Sequence, residues 1–308
     1  MALAAGVTWS LGAVTVRTAH GMDAWQYLIW RSVGVIVVMC GLAAWRRDGS
    51  PFPKAFRAGW VMRIACVGLM LASVAFIYAL KNTSAANAAF LASVTPLMAV
   101  VLARVFIGER LTVVTVASIA VASVGLLVMV TADVGGGNLK GNVAALLSSL
   151  GFAGYSVCVR SEPNRDWGPV MPGYALMAIV LCGTVTLIGG RSLFPPLQDI
   201  GRAMLHGGVF IVLGTTLFNH ASRHIPAVAM TVFAQTETVF VPLWIFLVLG
   251  ERPAATSLVG GAIILAAVIG KAVLDARPRS ASPTPASSTL ASSTPASPTP
   301  AISTRAGQ

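Results

Sequence analysis

A carboxylate in the middle of a long apolar run is the group in this chain with the clearest chemical potential. Glu237 lies in the stretch 226–249, beside Gln235, Thr236 and Thr238 and otherwise among aliphatic and aromatic residues. If that stretch crosses a bilayer, an ionised carboxylate near its centre costs at least ~2.5 kcal/mol. The acid must then be neutral, pair with a cation or face a wet cavity. A group so placed is poised to bind and release a proton, and the amide and hydroxyls around it offer hydrogen bonds to a polar small molecule. The competing reading is a neutral Glu that bonds a neighbouring helix as polar glue.

Arg31 lies well inside the apolar run 24–45. Its guanidinium stays charged and so needs a carboxylate or water. It can pair with Glu237, hold the carboxylate of an anionic substrate, or snorkel to the interface. Arg17, near the end of the first apolar run, is expected to snorkel. Trp9, Tyr78 and Asn87 are further candidate contacts, with Asn82 and Asn219 as additional polar groups. For each of these, packing or an interhelical hydrogen bond fits as well as substrate contact. The candidate substrate or ion site is therefore Glu237, Arg31, Trp9, Gln235, Asn87 and Tyr78.

Other chemistries lack their residues. His220 and His224 share helical spacing, but a catalytic zinc normally takes three protein ligands and no third accompanies them. Cys40, Cys66, Cys158 and Cys182 fall in apolar runs without Cys-x-x-Cys spacing, which points to buried free thiols. There is no phosphate-binding glycine loop and no nucleophile elbow. Neither an enzyme nor a cofactor is expected.

The elements that must position these residues are transmembrane helices. Only 10% of the 308 residues are charged and 56% are hydrophobic, with a mean hydropathy of +0.80. A soluble domain carries about 25% charge, so this chain cannot clothe a water-facing surface. Apolar runs fall at roughly 2–19, 24–45, 59–80, 86–107, 112–132, 142–160, 171–190, 204–221, 226–249 and 254–275. Most have the length that carries a helix across about 30 Å of hydrocarbon. The first begins next to Met1 with no basic flank or cleavage signal, so it is read as a retained helix. The net charge of +11 does not signal nucleic acid, because the basic residues sit between apolar runs. Arg46, Arg47, Lys54, Arg57 and Arg63 mark a cytoplasmic loop by the positive-inside rule, which places both termini in the cytoplasm. Residues 277–308 are dominated by Ser, Thr, Pro and Ala and are expected to be disordered.

The chain also repeats itself. Gly108-Glu109-Arg110 recurs as Gly250-Glu251-Arg252, 142 residues on, and Trp9 to Arg17 finds an echo in Phe152 to Arg160 at offset 143. A duplicated unit of five spans, 1–135 and 141–276, inserts its second copy upside down, as in many secondary transporters. The expected fold is thus an all-α integral membrane protein of ten helices in two inverted five-helix repeats. A glutamate closing a helix has the wrong sign for the dipole there, so Glu109 and Glu251 are expected to have specific partners, local caps or ion pairs. Ser118 with Ala122 and Ser257 with Gly261 have small-xxx-small spacing, which fits either a contact between related helices or a homodimer face.

On Ala79-Leu80-Lys81-Asn82-Thr83, Ala85 to Pro96, Leu102 to Leu111 and Ala234 to Pro253, the chain resembles the EamA-type branch of the drug/metabolite transporter superfamily. Trp9, Arg17 and Arg31 also sit where such proteins carry a Trp, a basic residue and an Arg. The resemblance covers about residues 2–275. It departs at Glu237-Thr238, where the family often has Glu-Pro; here the proline is Pro242. The resemblance implies export of small metabolites or toxic compounds across the bacterial inner membrane, driven by an ion gradient such as protons. A non-transporting scaffold or sensor of the same fold is the alternative.

Overall fold

The structure is a computed structural model that describes residues 2–47, 49–106, 108, 112–132, 139–162, 164–222 and 236–276. The tail 277–308, the glycine turn 135–137 with Asn138, and Glu109, Arg110, His224 and Gln235 lie outside the described residues, as does the side chain of Asn219.

Local signals start and stop the helices. Helix α1 (Ala2–Thr18) ends in a turn, and Asp23 opens α2 (Ala24–Arg46) with a reciprocal cap. The Asp23 carboxylate accepts from the Gln26 N–H at 2.9 Å, while Gln26 Oε1 accepts from the Asp23 N–H at 3.0 Å. A short helix, α3 (Pro51–Arg57), occupies the basic loop, and α4 (Trp60–Asn82) follows. The apolar run expected at 86–107 divides into α5 (Ala85–Ala92) and α6 (Thr95–Phe106). Pro96 accounts for the break: its ring clashes with the carbonyl four residues back, at Ala92, and it lacks an N–H.

Beyond them come α7 (Val113–Ala132), α8 (Leu139–Ser161) and α9 (Val170–Ile188). Helix α10 (Leu197–Leu205) then runs through a π-helical stretch, His206–Ile211, into α11 (Val212–Ser222). Helices α12 (Thr236–Leu249), which contains Pro242, and α13 (Ala255–Ala276) complete the order. All regular structure among the described residues is helical. Among the described residues, seven stretches are long and apolar enough to cross a bilayer: α2, α4, α5 with α6, α8, α9, Leu197–Leu217 and α13. Val113–Met129 and Thr236–Leu249 are shorter apolar helices.

Glycines set the closest helix crossings. Helix α4 packs on α8, where a Cβ at Gly151 would lie 2.6 Å from the Ala72 backbone nitrogen. Helix α7 packs on α13, where a Cβ at Gly125 would lie 2.6 Å from the Gly260 carbonyl oxygen. The small residues singled out in α13 face elsewhere: Gly261 accommodates the Phe90 ring and Ser257 bonds Asn87, both on α5. Gly260, one position off that stripe, makes the α7 contact. Helix α2 contacts α9, α10 and the π-helical stretch, while α1 contacts α11 and α12. Many large apolar side chains are left outside, among them Val105, Phe106, Val124, Leu127, Leu247 and Val259, as a hydrocarbon solvent requires.

Candidate functional site

Helix α1 runs towards one end of the bundle, so α2 starts at that end, as do α5, α10 and α13, while α1, α4, α9 and α12 finish there. Distance from this end orders the candidate residues. Asn87 lies about 3 Å in, Tyr78 about 6 Å, Arg31 about 10 Å, Trp9 about 14 Å and Glu237 about 18 Å, at 1.5 Å per helical residue.

The two shallow candidates are engaged in helix-end contacts. Tyr78 sits 6.0 Å from Trp25, ring to ring, and its carbonyl accepts from Asn82 Nδ2 at 2.8 Å. Asn87 is 2% exposed and belongs to a buried set. Its Oδ1 accepts from the Ser257 hydroxyl, and its Nδ2 reaches Asn142 Oδ1 at 3.5 Å. That same oxygen accepts from the Thr83 hydroxyl at 2.8 Å. These bonds tie α5 to α8 and α13.

The deeper three lie on three different helices, α1, α2 and α12. Trp9 packs its indole over Gly214 of α11, where any Cβ would overlap it. Arg31 is 4% exposed; it donates to Ser73 Oγ on α4 and lies beside Tyr174 of α9. Its Nε is buried without a hydrogen-bond partner. The pairing of Arg31 with Glu237 is not made: among the described residues no ion pair joins them. Nor does Arg31 snorkel, since its side chain is buried and bonded to Ser73 in the interior. Glu237 opens the described part of α12, half-buried, next to buried Thr238.

A second buried polar group links a shallower level to the interior. Tyr27 OH is 2.8 Å from Thr15 Oγ1 and 2.9 Å from His206 Nδ1, joining α1, α2 and the π-helical stretch. Thr15 gives its one hydroxyl proton to the Gly12 carbonyl at 2.6 Å. Tyr27 therefore donates to Thr15 and accepts from His206 Nδ1–H, which leaves Nε2 as the imidazole's free acceptor. That nitrogen lies over Gly12 of α1, where only a glycine leaves room. Sequence reasoning passed over His206 and Tyr27. The signal was present: His206 is a titratable residue inside an apolar run, as Glu237 and Arg31 are, and Gly207 and Gly208 follow it. Single π-helical turns inside α-helices often occur at functional sites.

At the end of the bundle, Arg17 does not snorkel. Its Nη2 donates to the Thr83 carbonyl at 2.6 Å and to Glu251 Oε1 at 3.2 Å. Glu251 Oε1 also accepts from the Ala85 N–H, at 3.0 Å, in the first turn of α5. The partner expected for Glu251 is therefore a cation plus the positive end of another helix. Gly250 makes this reach possible: at φ +69 it turns the chain out of α12 in a conformation that favours glycine, and Gly108 at φ +76 does the same after α6. A cavity of about 320 Å³ opens here, lined by Arg17, Lys81, Asn82, Thr83, Ser84 and Glu251.

A polytopic helical bundle with an arginine and a histidine buried at mid-depth, and an acid beside them in depth, has the build of a membrane transporter. The chain belongs to the EamA-like transporter family, whose model matches residues 1–131 and again 139–271. It is a multi-pass membrane transporter of the drug/metabolite superfamily. The pseudopaline exporter CntI of Pseudomonas aeruginosa, from two strains, is 26% identical over 194 residues, 63% of this chain and 68% of its own. A protein of known crystal structure shares the fold with a TM-score of 0.64, at 19% identity, across 90% of this chain and 96% of its own.

Proposed function

We propose that this transporter is a secondary active exporter of small polar metabolites, built as two inverted five-helix repeats that alternate access to a site near mid-membrane. The observation that carries this reading is the double family match, one copy for each half of the chain. Helix packing supports it. Number the ten expected spans in order, with α3 outside the count, α5 with α6 as the fourth and α10 with α11 as the eighth. The contact of spans three and six then has a counterpart in eight and one, and that of one and nine in six and four. Spans two and seven, and five and ten, are their own counterparts, as a twofold axis in the membrane plane requires.

In this reading both termini are cytoplasmic and the membrane is the inner one. The end holding Arg46, Arg57 and Arg63 faces the cytoplasm, and the end holding Arg17 and Glu251 faces outward. Export as the direction follows the named activity of the Pseudomonas relative. Arg31 offers a fixed positive charge with an unused Nε, suited to an anionic group of the substrate. Trp9 supplies an apolar wall. Glu237, with Gln235 beside it in sequence, takes up and releases the coupled proton.

The test is counterflow in proteoliposomes with radiolabelled amino acids, carboxylated metabolites and cationic drugs, with and without a pH gradient. Gradient-dependent flux of at least one class is expected. Protein that is folded yet moves none of them contradicts the reading.

A further inference from the structure

Polar bonds between the two halves of the sequence, 2–132 and 139–276, are unevenly distributed. At the end that carries Arg17, they close around the α1–α2 turn from two sides. On one side Arg17 meets Glu251. On the other, Asp199 of α10, 4% exposed, accepts from the Gly21 N–H at 2.8 Å, and its partner Arg202 donates to the Thr18 carbonyl at 3.2 Å. Arg191 pairs with Asp23, and Gln26 Nε2 donates to the Ser192 carbonyl at 2.7 Å. At the opposite end, the described ion pairs Glu162–Arg165 and Lys271–Asp275 each stay within one segment. The described ion pairs that join the halves, Arg17–Glu251 and Arg191–Asp23, both lie at the Arg17 end.

The exposure of these groups suits a bond that must be made and broken. The Arg17 and Glu251 side chains are 21% and 31% exposed, so water is at hand to replace each partner. The fully buried bonds of Asn87, Asn142 and Ser257 just beneath have no such replacement and would hold through any rearrangement.

We propose that the Arg17–Glu251 pair is the latch of this end, and that parting it is the step that opens the interior to that side. The latch rests on the alternating-access reading above. Glu251 is the residue that decides it, because one carboxylate oxygen serves both Arg17 and the first turn of α5. Releasing that oxygen frees the end of α12 from both α1 and α5 at once. The complementary grip of Asp199 on Gly21 keeps the α1–α2 turn seated on α10, so α1 moves with that element and separates from α12.

The experiment is a distance measurement by pulsed electron resonance on the full chain in nanodiscs. Nitroxides are placed at exposed positions by His20→Cys and Ala254→Cys, with Cys40, Cys66, Cys158 and Cys182 replaced by alanine. Glu251→Gln keeps an acceptor for the Ala85 N–H but removes the charge, and Arg17→Gln removes the other partner while keeping a donor for Thr83. Both are expected to raise the population of a longer inter-label distance at least threefold over the parent. Distributions in both variants that superimpose on the parent overturn the latch. The measurement needs no substrate: absence of flux from the unsubstituted protein would count against the transport reading, while the distances would still decide the latch.

Discussion

The Arg17 guanidinium and the Glu251 carboxylate, 234 positions apart in the chain, meet at 3.2 Å where α1 and α12 both end. Each helix end gains from the arrangement. Arg17 neutralises a carboxylate that would otherwise oppose the dipole of α12, and the same oxygen caps the positive end of α5 through the Ala85 N–H at 3.0 Å. In the second Gly-Glu-Arg, Gly250 turns the chain and Glu251 reaches across.

Glu251→Ala is expected to lower the thermal unfolding temperature in detergent by a few degrees. The pair and the cap together contribute about 1 kcal/mol once partial exposure and solvent screening are allowed for. Arg252→Ala, at an exposed neighbour, is the control and should leave the transition in place. Equal melting of the two variants would contradict the assignment.

Gly207→Ala is expected to destabilise strongly, by about 3 kcal/mol or more, because its Cβ would overlap the Arg31 carbonyl oxygen and backbone cannot swing aside as a side chain can. Gly41→Ala has open space and should be neutral or slightly stabilising, since alanine favours helix. The ratio of folded to aggregated protein after heating distinguishes them.

Tyr27→Phe removes the hydroxyl that accepts from His206 and donates to Thr15. It leaves a buried N–H without a partner, at a cost of about 1–3 kcal/mol. Thr15→Val takes the acceptor from the Tyr27 O–H but should cost less, because the Tyr27 hydroxyl still accepts from His206 and Thr15 itself is only partly buried. Thermal melts of the two variants check the order, and the reverse order would mean that the proton runs the other way along the network.

Asn87→Ala is expected to lower stability by about 1–3 kcal/mol through its lost bonds to buried Ser257 and Asn142, while flux per folded molecule stays near that of the parent. A loss of flux at unchanged stability would instead make Asn87 a substrate contact.

Helices were legible in the sequence where an apolar run is bounded by residues that cap or break it, such as Asp23 before α2, whereas the break at Pro96 falls inside a run that reads as one span. What escaped depends on partners distant in sequence. Arg17 looked free to snorkel because the carboxylate that holds it lies at the far end of the chain. Asn87 and Tyr78 read as interior polar groups, yet α4 ends at Asn82 and α5 starts at Ala85, which places both near the bundle's end. The π-helical stretch after Leu205 leaves no mark in an apolar pattern, since a single wide turn does not change which residues are hydrophobic. Arg31 and Trp9 stand out in the sequence as a charge and a large ring within apolar runs, and the structure buries Arg31 and packs Trp9 over Gly214.

Proton-driven flux through Glu237→Gln protein is the most direct test of the account. In proteoliposomes loaded with a compound that the parent exports, an imposed pH gradient should accelerate transport by the parent at least tenfold. The variant, folded and melting within a few degrees of the parent, should retain exchange of labelled for unlabelled substrate and lose the response to the gradient. Undiminished gradient-driven flux in Glu237→Gln protein would contradict the role given to the carboxylate that α12 carries about 18 Å below the Arg17–Glu251 pair.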